Sequence, residues 1–207
     1  GGECTNGYGF RFSPAGALKA YSAGAKYYAA SNILPERGTV LMWVKSGFEK
    51  IGLEQKYLLN LIDENGDDCL SLKIDLSGTK ILFRDKNNNI YYALMDTGDE
   101  STRWYSGTNW VNIAFSWDTT TGVIKMYMNG IKRVEKNIGH WWIPAYGKYL
   151  WIGSRDNIEA VSDCLIDIVQ IYNRVMSDDE IMILTGDIYP PEIVIRGIND
   201  KAHYRFD

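Results

Sequence analysis

The chain has 207 residues, and its 22 basic and 26 acidic side chains give a net charge of -4 with both histidines neutral. The length fits one large β domain, and the mildly acidic balance excludes a strongly basic nucleic-acid binder, because neutralising phosphates requires clustered lysines and arginines. No run approaches the roughly 20 consecutive apolar residues that a membrane-spanning helix requires, so we expect no membrane span.

Short apolar runs separated by turn residues fill the first half of the chain, which is the pattern of β-strands. The run at 39–45 is almost continuously β-branched and aromatic, as in a strand that is covered on both faces. Residues 70–76 instead alternate, with polar side chains at Ser71, Lys73 and Asp75, which predicts a strand with one face in water. The predicted strands of this half are 39–45, 57–62, 70–76, 80–84 and 90–95.

The second half of the chain continues the same pattern. Residues 110–117 alternate between apolar and polar side chains, and Asn129-Gly130 is a strong signal for a tight hairpin. The predicted strands of this half are 110–117, 123–128, 149–153 and 164–173. Strands at this spacing, with almost no helical periodicity between them, predict an all-β fold in which two antiparallel sheets form a sandwich.

One short helix is predicted near residues 178–185. Ser177 and Glu180 have the spacing of a capping box, in which the serine hydroxyl accepts a hydrogen bond from the glutamate amide while the glutamate side chain reaches back. Gly186 is the expected stop of the helix. The apolar contacts of the helix are predicted to come from Ile181, Ile183 and Leu184.

The stretch Tyr189-Pro190-Pro191 marks the end of the predicted domain, because two prolines stiffen the chain and remove two backbone donors. We therefore expect one sandwich domain over residues 1–188. Residues 189–207 are predicted to be a linker followed by either an extra strand of the sandwich or the start of a following module. The chain begins with Gly rather than Met, so we expect it to be a processed or excised part of a larger protein.

Five segments follow one another in an order that is specific when they are taken together: 38–45 (GTVLMWVK), 110–118 (WVNIAFSWD), 124–130 (IKMYMNG), 150–153 (LWIG) and 166–181, which begins IDIVQIYNR. Over about residues 8–186, they resemble the laminin-G-like, or concanavalin A-like, lectin and glucanase superfamily. They are most similar to its bacterial and phage branch, which is related to the pentraxins. The resemblance implies a jelly-roll sandwich of two antiparallel sheets.

Catalysis by this chain is not expected. Members of the superfamily that cleave glycans carry paired carboxylates on one strand, as in Glu-x-Asp-x-x-Glu, because the reaction needs two carboxyl groups about 5–5.5 Å apart for retention or about 6.5–9.5 Å apart for inversion. No such motif is present, and the resemblance implies that Asp167, four residues after Asp163, satisfies buried loop amides instead. With only His140 and His203, neither a serine–histidine–aspartate triad nor a multi-histidine metal centre is credible.

Calcium is the one cofactor that the resemblance implies. Many members of the superfamily hold calcium at the rim of the sandwich, bound by carboxylates, amide oxygens and backbone carbonyls. The acid-rich stretch before the last predicted strand is the first choice for such a site here, with Asp156, Asn157 and Asp163 as ligands. The alternative is that these residues belong to solvated turns between strands.

Aromatic residues are the best candidates for ligand binding. Neighbouring tryptophans at 141 and 142 point to opposite faces of a strand, so at least one is expected to be exposed. An exposed ring can stack on the apolar face of a sugar. The alternative is that one tryptophan plugs the edge of the sandwich. The candidate ligand-binding residues are Trp141, Trp142, Tyr146, Trp104 and Tyr105.

The three cysteines are too few for a disulfide framework. The resemblance places the first and last strands side by side, which implies Cys4 and Cys164 as a pair. Cys69 is then left as a small buried hydrophobic residue. No Asn-x-Ser/Thr acceptor for N-glycosylation occurs in the sequence.

The leading hypothesis is a non-catalytic recognition or adhesion module that binds carbohydrate or a cell-surface polymer. It follows from the resemblance, the missing carboxylate pair and the aromatic residues. The module is expected to be part of a larger protein that is extracellular, at the cell surface or on a virion. Two alternatives stay open: a structural virion or surface-layer domain that contacts neighbouring domains of the same chain or assembly, and a degenerate glycoside hydrolase or lyase.

Overall fold

The computed structural model describes residues 25–29, 33–46, 55–96, 104–106, 109–139, 148–156 and 164–185. Within these ranges the chain forms eleven strands, one 3-10 turn and one α-helix. The first strands are β1 (Ala25–Tyr28), β2 (Arg37–Ser46), β3 (Lys56–Ile62), β4 (Asp68–Asp75), β5 (Gly78–Arg84) and β6 (Ile90–Asp96). After the 3-10 turn (Trp104–Ser106) come β7 (Val111–Asp118), β8 (Val123–Met128), β9 (Ile131–Asn137), β10 (Tyr149–Ile152), β11 (Cys164–Tyr172) and α1 (Asp178–Thr185).

The strands form two sheets that are antiparallel throughout. The larger sheet has six strands in the order β1-β10-β3-β4-β5-β6, and the smaller sheet has five in the order β11-β2-β7-β8-β9. The prediction of an all-β, two-sheet antiparallel sandwich with one short helix is confirmed. No helix in the described part of the chain combines the length and the apolar character needed to cross a membrane.

The inner faces of the two sheets meet in one apolar core, and Trp117 is the largest fully buried side chain that the structure describes there. Its ring packs against Phe115 of the smaller sheet and Phe83 of the larger one, with ring centroids 5.8 and 5.7 Å away. The indole Nε1 donates a hydrogen bond to the Pro35 carbonyl at 3.1 Å. Gly38 is the register partner of Trp117, and a Cβ atom there would lie 2.4 Å from the indole ring, so this position requires glycine.

Helix α1 covers part of the outer face of the smaller sheet, where it packs against Leu41, Ala114 and Tyr127. The predicted capping box is confirmed. The Ser177 amide donates to Glu180 Oε2 at 2.8 Å, and the Glu180 amide donates to Ser177 Oγ at 3.1 Å. These bonds satisfy two of the amides that a helix start leaves without intrahelical partners.

Of the three apolar residues predicted to pack α1 against the sheet, two do so and one does not. Ile181 is fully buried and Leu184 packs against the same apolar cluster, as expected. The prediction for Ile183 is wrong, because its side chain is 66% exposed. A helical period of 3.6 residues places positions three apart on one side of the helix, so Ile183 points away from the side that Ile181 and Leu184 share.

Asp178 fixes the start of α1 to the smaller sheet. Its carboxylate accepts hydrogen bonds from Lys125 Nζ at 2.9 Å and from the Tyr127 hydroxyl at 2.8 Å, and Lys132 Nζ lies 2.7 Å away. The hydrogen bond from Lys132 is the main reason that the pKa of Asp178 lies well below its usual range. The outer face of the smaller sheet is therefore used, in this region, to hold the helix.

The outward-facing side chains of β4 are less exposed to water than the sequence predicts. The apolar residues of β4 face the core as expected, but Ser71 is fully buried and Lys73 is only 9% exposed. Leu76, which belonged to the predicted apolar face, lies exposed in the turn that follows β4. β4 lies in the interior of the larger sheet, so its polar side chains have register partners on both sides: Tyr57 and Lys80 beside Lys73, and Asn60 and Leu82 beside Ser71.

The cysteines that the structure describes are buried. Burial is the largest cause that raises the pKa of the Cys69 thiol, to about 12, so the thiol is protonated and unreactive at neutral pH. Cys4 lies outside the described residues, and its pairing with Cys164 stays a prediction. The domain boundary at residue 188 and the nature of residues 189–207 stay predictions for the same reason.

Candidate functional site

The outer face of the larger sheet, which we call the polar face, carries polar and aromatic side chains on all its strands. In β10, for example, Leu150 packs in the core, so the alternation along the strand points Tyr149 and Trp151 to the polar face. Strand register aligns such side chains into rows across the sheet. One row contains Lys26, Trp151, Asn60, Ser71, Leu82 and Tyr92.

The centre of the polar face is a hydrogen-bonded network, the Asp68 cluster, formed by Tyr57, Asn60, Asp68, Ser71 and Arg155. The Asp68 carboxylate accepts from the Tyr57 hydroxyl and the Asn60 amide, both at 2.9 Å, and it also accepts from Arg155 Nε at 3.3 Å. The Asn60 amide donates again to the Arg155 carbonyl at 2.8 Å, and the Ser71 hydroxyl donates to Asn60 Oδ1 at 2.6 Å. Because these bonds close on one another, they hold β3, β4 and the segment after β10 as a rigid platform.

Tyr57 is held in its neutral form at the edge of this network. Burial is the largest cause that raises the pKa of Tyr57 above its usual range, and the Asp68 carboxylate raises it further. The Tyr57 hydroxyl therefore remains a hydrogen-bond donor at neutral pH. Its ring also lies beside Lys73, whose Nζ is 5.4 Å from the ring centroid.

Beside the Asp68 cluster, the polar face contains a cavity of about 350 Å³, which we call the Lys73 pocket. This volume falls within the range of small-molecule sites, roughly 300–1,000 Å³. The walls combine three large apolar or aromatic side chains with five polar ones. The lining residues are Gln55, Lys73, Asp75, Ser77, Lys80, Leu82, Tyr92 and Leu94.

The two lysines of the pocket differ in their partners. Lys80 Nζ lies 2.8 Å from Asp75 Oδ2 and forms an ion pair. Lys73 Nζ instead donates to the neutral Gln55 Oε1 at 2.9 Å, and none of the described carboxylates lies within ion-pair distance of it. Burial lowers the pKa of Lys73, although the carboxylates of Asp68 and Asp75 oppose this effect.

At the other end of the polar face, β1 and β10 form what we call the aromatic edge, with Lys26, Tyr28, Tyr149 and Trp151. Tyr28 is 57% exposed and meets Tyr149 edge to face, with ring centroids 6.1 Å apart. Lys26 Nζ lies 3.8 Å from the Tyr149 centroid and 5.5 Å from that of Trp151. The buried Trp151 Nε1 finds no hydrogen-bond acceptor in the part of the chain that the structure describes.

Trp104 and Tyr105, two predicted ligand-binding residues, lie in the 3-10 turn beside the core. Trp104 is 4% exposed, and its Nε1 donates to Thr79 Oγ1 at 2.9 Å. The core covers its apolar ring and a buried threonine satisfies its polar group, so this tryptophan presents almost no surface for sugar stacking. Tyr105 is half-buried and meets Trp104 edge to face at 6.4 Å between ring centroids.

Of the remaining predicted ligand-binding and calcium-binding residues, one lies within the described ranges. Asp156 is described, and its carboxylate lies 3.9 Å from Arg155 Nη1. Among the described residues, no group of three or more His, Cys, Asp or Glu side chains could hold a metal ion, and the calcium site stays a prediction. Five predicted site residues lie outside the described ranges: Trp141, Trp142, Tyr146, Asn157 and Asp163.

Asp167 lies on the smaller sheet, not on the polar face. It is fully buried in β11, and its Oδ1 accepts a hydrogen bond from the amide of Ile168, the next residue of the same strand, at 2.9 Å. The role in satisfying loop amides that the family resemblance implies stays a prediction. Ile168 has a φ of 44°, an unusual value for a β-branched residue, at the bulge between Asp167 and Val169. Asp163, the acid considered with Asp167, lies outside the described residues.

The sequence analysis missed the residues that make up the polar face. A weak signal was present, because Asn60 interrupts an apolar run and Tyr149 and Trp151 alternate with Leu150. The signal shows which side chains share a side of their own strand. It does not show which strands are neighbours, and that information is needed to assemble the site.

Comparison with known proteins identifies the fold family. The family model of the concanavalin A-like lectin/glucanases superfamily matches residues 22–182, which include every strand described above. No curated protein matches the sequence.

Solved structures with the same fold include several toxin binding domains. The binding domain of Paraclostridial Mosquitocidal Protein 1 is 15% identical with a TM-score of 0.64, and the alignment covers 84% of this chain and 42% of that one. The botulinum neurotoxin serotype D ligand binding domain in complex with N-acetylneuraminic acid is 17% identical with a TM-score of 0.61, covering 79% and 40%. The botulinum neurotoxin DC binding domain in complex with rat synaptotagmin II is 14% identical with a TM-score of 0.57, covering 72% and 35%. At these identities the similarity shows the fold, and this chain spans less than half the length of each.

Proposed function

This chain belongs to the concanavalin A-like lectin/glucanases superfamily, and we propose that it is a non-catalytic binding module that recognises carbohydrate through the polar face. The observation that carries the proposal is the combination of an aromatic edge with the exposed ring of Tyr28, a hydrogen-bonded polar cluster and a cavity on one side of one sheet. The corresponding side of the smaller sheet is used, in part, to hold helix α1.

The chemistry of the polar face suits a saccharide. Sugars present apolar C–H faces that pack on aromatic rings, together with hydroxyl groups that need hydrogen-bond partners. Tyr28 and Tyr149 offer rings at the aromatic edge, and Arg155 and Tyr57 are held in place by Asp68. Because these polar groups are already ordered, binding does not have to order them, which favours affinity.

The acid that lines the Lys73 pocket supports binding rather than hydrolysis. Burial acts to raise the pKa of Asp75, but hydrogen bonds from Lys80 and Ser77 outweigh it and hold that pKa below its usual range. A glycosidase needs two carboxyl groups, an acid with a raised pKa that protonates the leaving oxygen and an ionised partner, and Asp75 is the single carboxylate among the described residues that line the pocket. A degenerate hydrolase or lyase is therefore the weaker alternative.

The similar structures support the same class of function. They are binding domains of toxins, one in complex with N-acetylneuraminic acid and another with rat synaptotagmin II. We extend this to a ligand that is a carbohydrate or cell-surface polymer, and to a module that works outside the cell, at a cell surface or on a virion. The predicted aromatic loop with Trp141, Trp142 and Tyr146 directly precedes β10 in sequence and remains part of the proposal, as does calcium at the rim.

A structural role in a virion or surface layer is the second candidate. It is favoured by Met182 and Ile183 of α1, two large apolar side chains that are exposed on the side of the molecule opposite the polar face. Such residues are frequent in contacts between neighbouring domains. In that role the aromatic edge would be dispensable, which separates the two candidates experimentally.

We expect Tyr149→Ala to weaken glycan binding about tenfold, because an aromatic contact contributes about 0.5–1.5 kcal/mol beyond its buried area and tenfold corresponds to about 1.4 kcal/mol. The measurement is a glycan array with the chain presented multivalently, followed by calorimetry on the best glycan. Ile183→Ala, an exposed position on α1, is the matched control and should leave affinity unchanged. Unchanged affinity in Tyr149→Ala, or no glycan binding by the parent chain, would count against the proposal.

A further inference from the structure

Lys73 is a buried cation, and no carboxylate of the described residues lies within ion-pair distance of it. It is 9% exposed, and among the described residues its Nζ uses one of three donors, on the neutral Gln55. Its register partner on β5 is a second lysine, Lys80, and the nearby Asp75 carboxylate is already paired with Lys80 at 2.8 Å. The pocket lining therefore holds two ammonium groups and one carboxylate, a local charge of +1 (2 − 1), although the whole chain carries -4.

We infer that the Lys73 pocket is a subsite for the acidic group, a carboxylate or a sulfate, of an acidic saccharide. The inference rests on the proposed function of the polar face. An oxyanion can accept hydrogen bonds from the two donors of Lys73 Nζ that Gln55 does not use, and it supplies the counter-charge that a buried ammonium needs. A neutral sugar hydroxyl supplies no such charge.

The size and walls of the pocket favour a sugar acid over a bare anion. The cavity of about 350 Å³ is far larger than one oxyanion, and Leu82 and Leu94 form an apolar wall against which a sugar ring can pack. Tyr92 is 46% exposed and also lines the pocket. Lys136 of β9 lies over the Tyr92 ring, with Nζ 4.3 Å from its centroid, and brings a further ammonium group close to the pocket.

The test compares methyl glucuronide with methyl glucoside, two sugars that differ in one carboxylate, and uses sodium sulfate as the bare anion. Each is titrated into the ¹⁵N-labelled chain. The parent is expected to bind the glucuronide at least tenfold more tightly than the glucoside. Lys73→Met, which keeps an unbranched apolar stem, should remove that preference while binding the glucoside within twofold of the parent.

Two further variants keep the result interpretable. Gln55→Glu changes an exposed residue, supplies Lys73 with a built-in carboxylate, and should reduce glucuronide binding at least fivefold even if Lys73→Met folds poorly. Lys86→Met is the control for charge, because it removes one positive charge from the exposed turn at the far end of β5. It should leave the preference for the glucuronide over the glucoside unchanged.

Three results would overturn the inference: equal affinity of the parent for both sugars, an acid preference that persists in Lys73→Met, or sulfate binding as tight as glucuronide binding. If the acid preference is missing while a neutral glycan still requires Tyr149, the inference fails and the proposed function stands. If no saccharide binds at all, the proposed function fails.

Discussion

Replacing Trp117 by alanine is expected to lower the free energy of unfolding by about 3–5 kcal/mol. The ring is fully buried between the sheets, where it packs against Phe83 and Phe115. Its loss leaves a cavity that contacts both sheets, and it also leaves the Pro35 carbonyl without the hydrogen bond from Nε1. The measurement is urea unfolding followed by far-UV circular dichroism, which does not depend on tryptophan fluorescence.

Two controls separate packing from general effects of substitution. Trp117→Phe keeps an aromatic ring and should lower the free energy of unfolding by less than Trp117→Ala does. Ile90→Ala removes an exposed apolar side chain and should change stability by about 0.5 kcal/mol or less. A loss below about 1 kcal/mol in Trp117→Ala would mean that this ring is not packed in the core as described.

The second large effect is expected at the Asp68 cluster, where Asp68→Ala should destabilise the chain by about 2–4 kcal/mol. Removing the carboxylate leaves the donors of Tyr57, Asn60 and Arg155 without their acceptor on a largely covered part of the polar face. Unpaired buried donors cost about 1–3 kcal/mol each, and the partial exposure of Arg155 reduces its share. Denaturant unfolding measures the change.

The neighbouring Asp67 provides the matched control for this experiment. Its carboxylate is half-exposed and lies 3.4 Å from Arg84, so Asp67→Ala should cost less than about 1 kcal/mol. A double-mutant cycle of Asp68→Ala with Tyr57→Phe should give a coupling of at least about 0.5 kcal/mol, because the two side chains share one hydrogen bond. Strict additivity in that cycle would show that the cluster does not act as a unit.

The sequence predicts best those elements whose own residues carry the signal, without information about which strands are their neighbours. β2 and β7 lie in the interior of the smaller sheet, and their β-branched and aromatic runs are visible without knowledge of any partner. The capping box of α1 is equally local, since Ser177 and Glu180 are three residues apart. These elements were predicted close to their observed bounds for that reason.

The polar face could not be predicted in the same way, because it is made by register between distant strands. Asn60 and Arg155 are 95 residues apart in sequence, and only the pairing of β3 with β10 brings their segments together. Lys73 was expected in water because it alternates with apolar residues. Its burial depends on Tyr57 and Lys80, its register partners on the two adjacent strands.

Trp104 shows that the presence of an aromatic residue in the sequence does not by itself predict a ligand-binding surface. A tryptophan close to a predicted strand can be a ligand platform or a core residue, and the sequence does not distinguish the two. The structure places Trp104 against Thr79, which supplies the hydroxyl that its indole needs in a buried position. The exposed ring that the pattern did not single out is Tyr28 of β1, which meets the half-buried Tyr149 of β10 edge to face.

The claim that the polar face is the binding surface is tested most directly by a crystal structure of the chain bound to its tightest glycan from the array. We predict a sugar ring against Tyr149 or in the Lys73 pocket, with any acidic group within hydrogen-bonding distance of Lys73 Nζ. A glycan bound on the helix side of the smaller sheet, with the polar face in contact with water alone, would contradict the proposal.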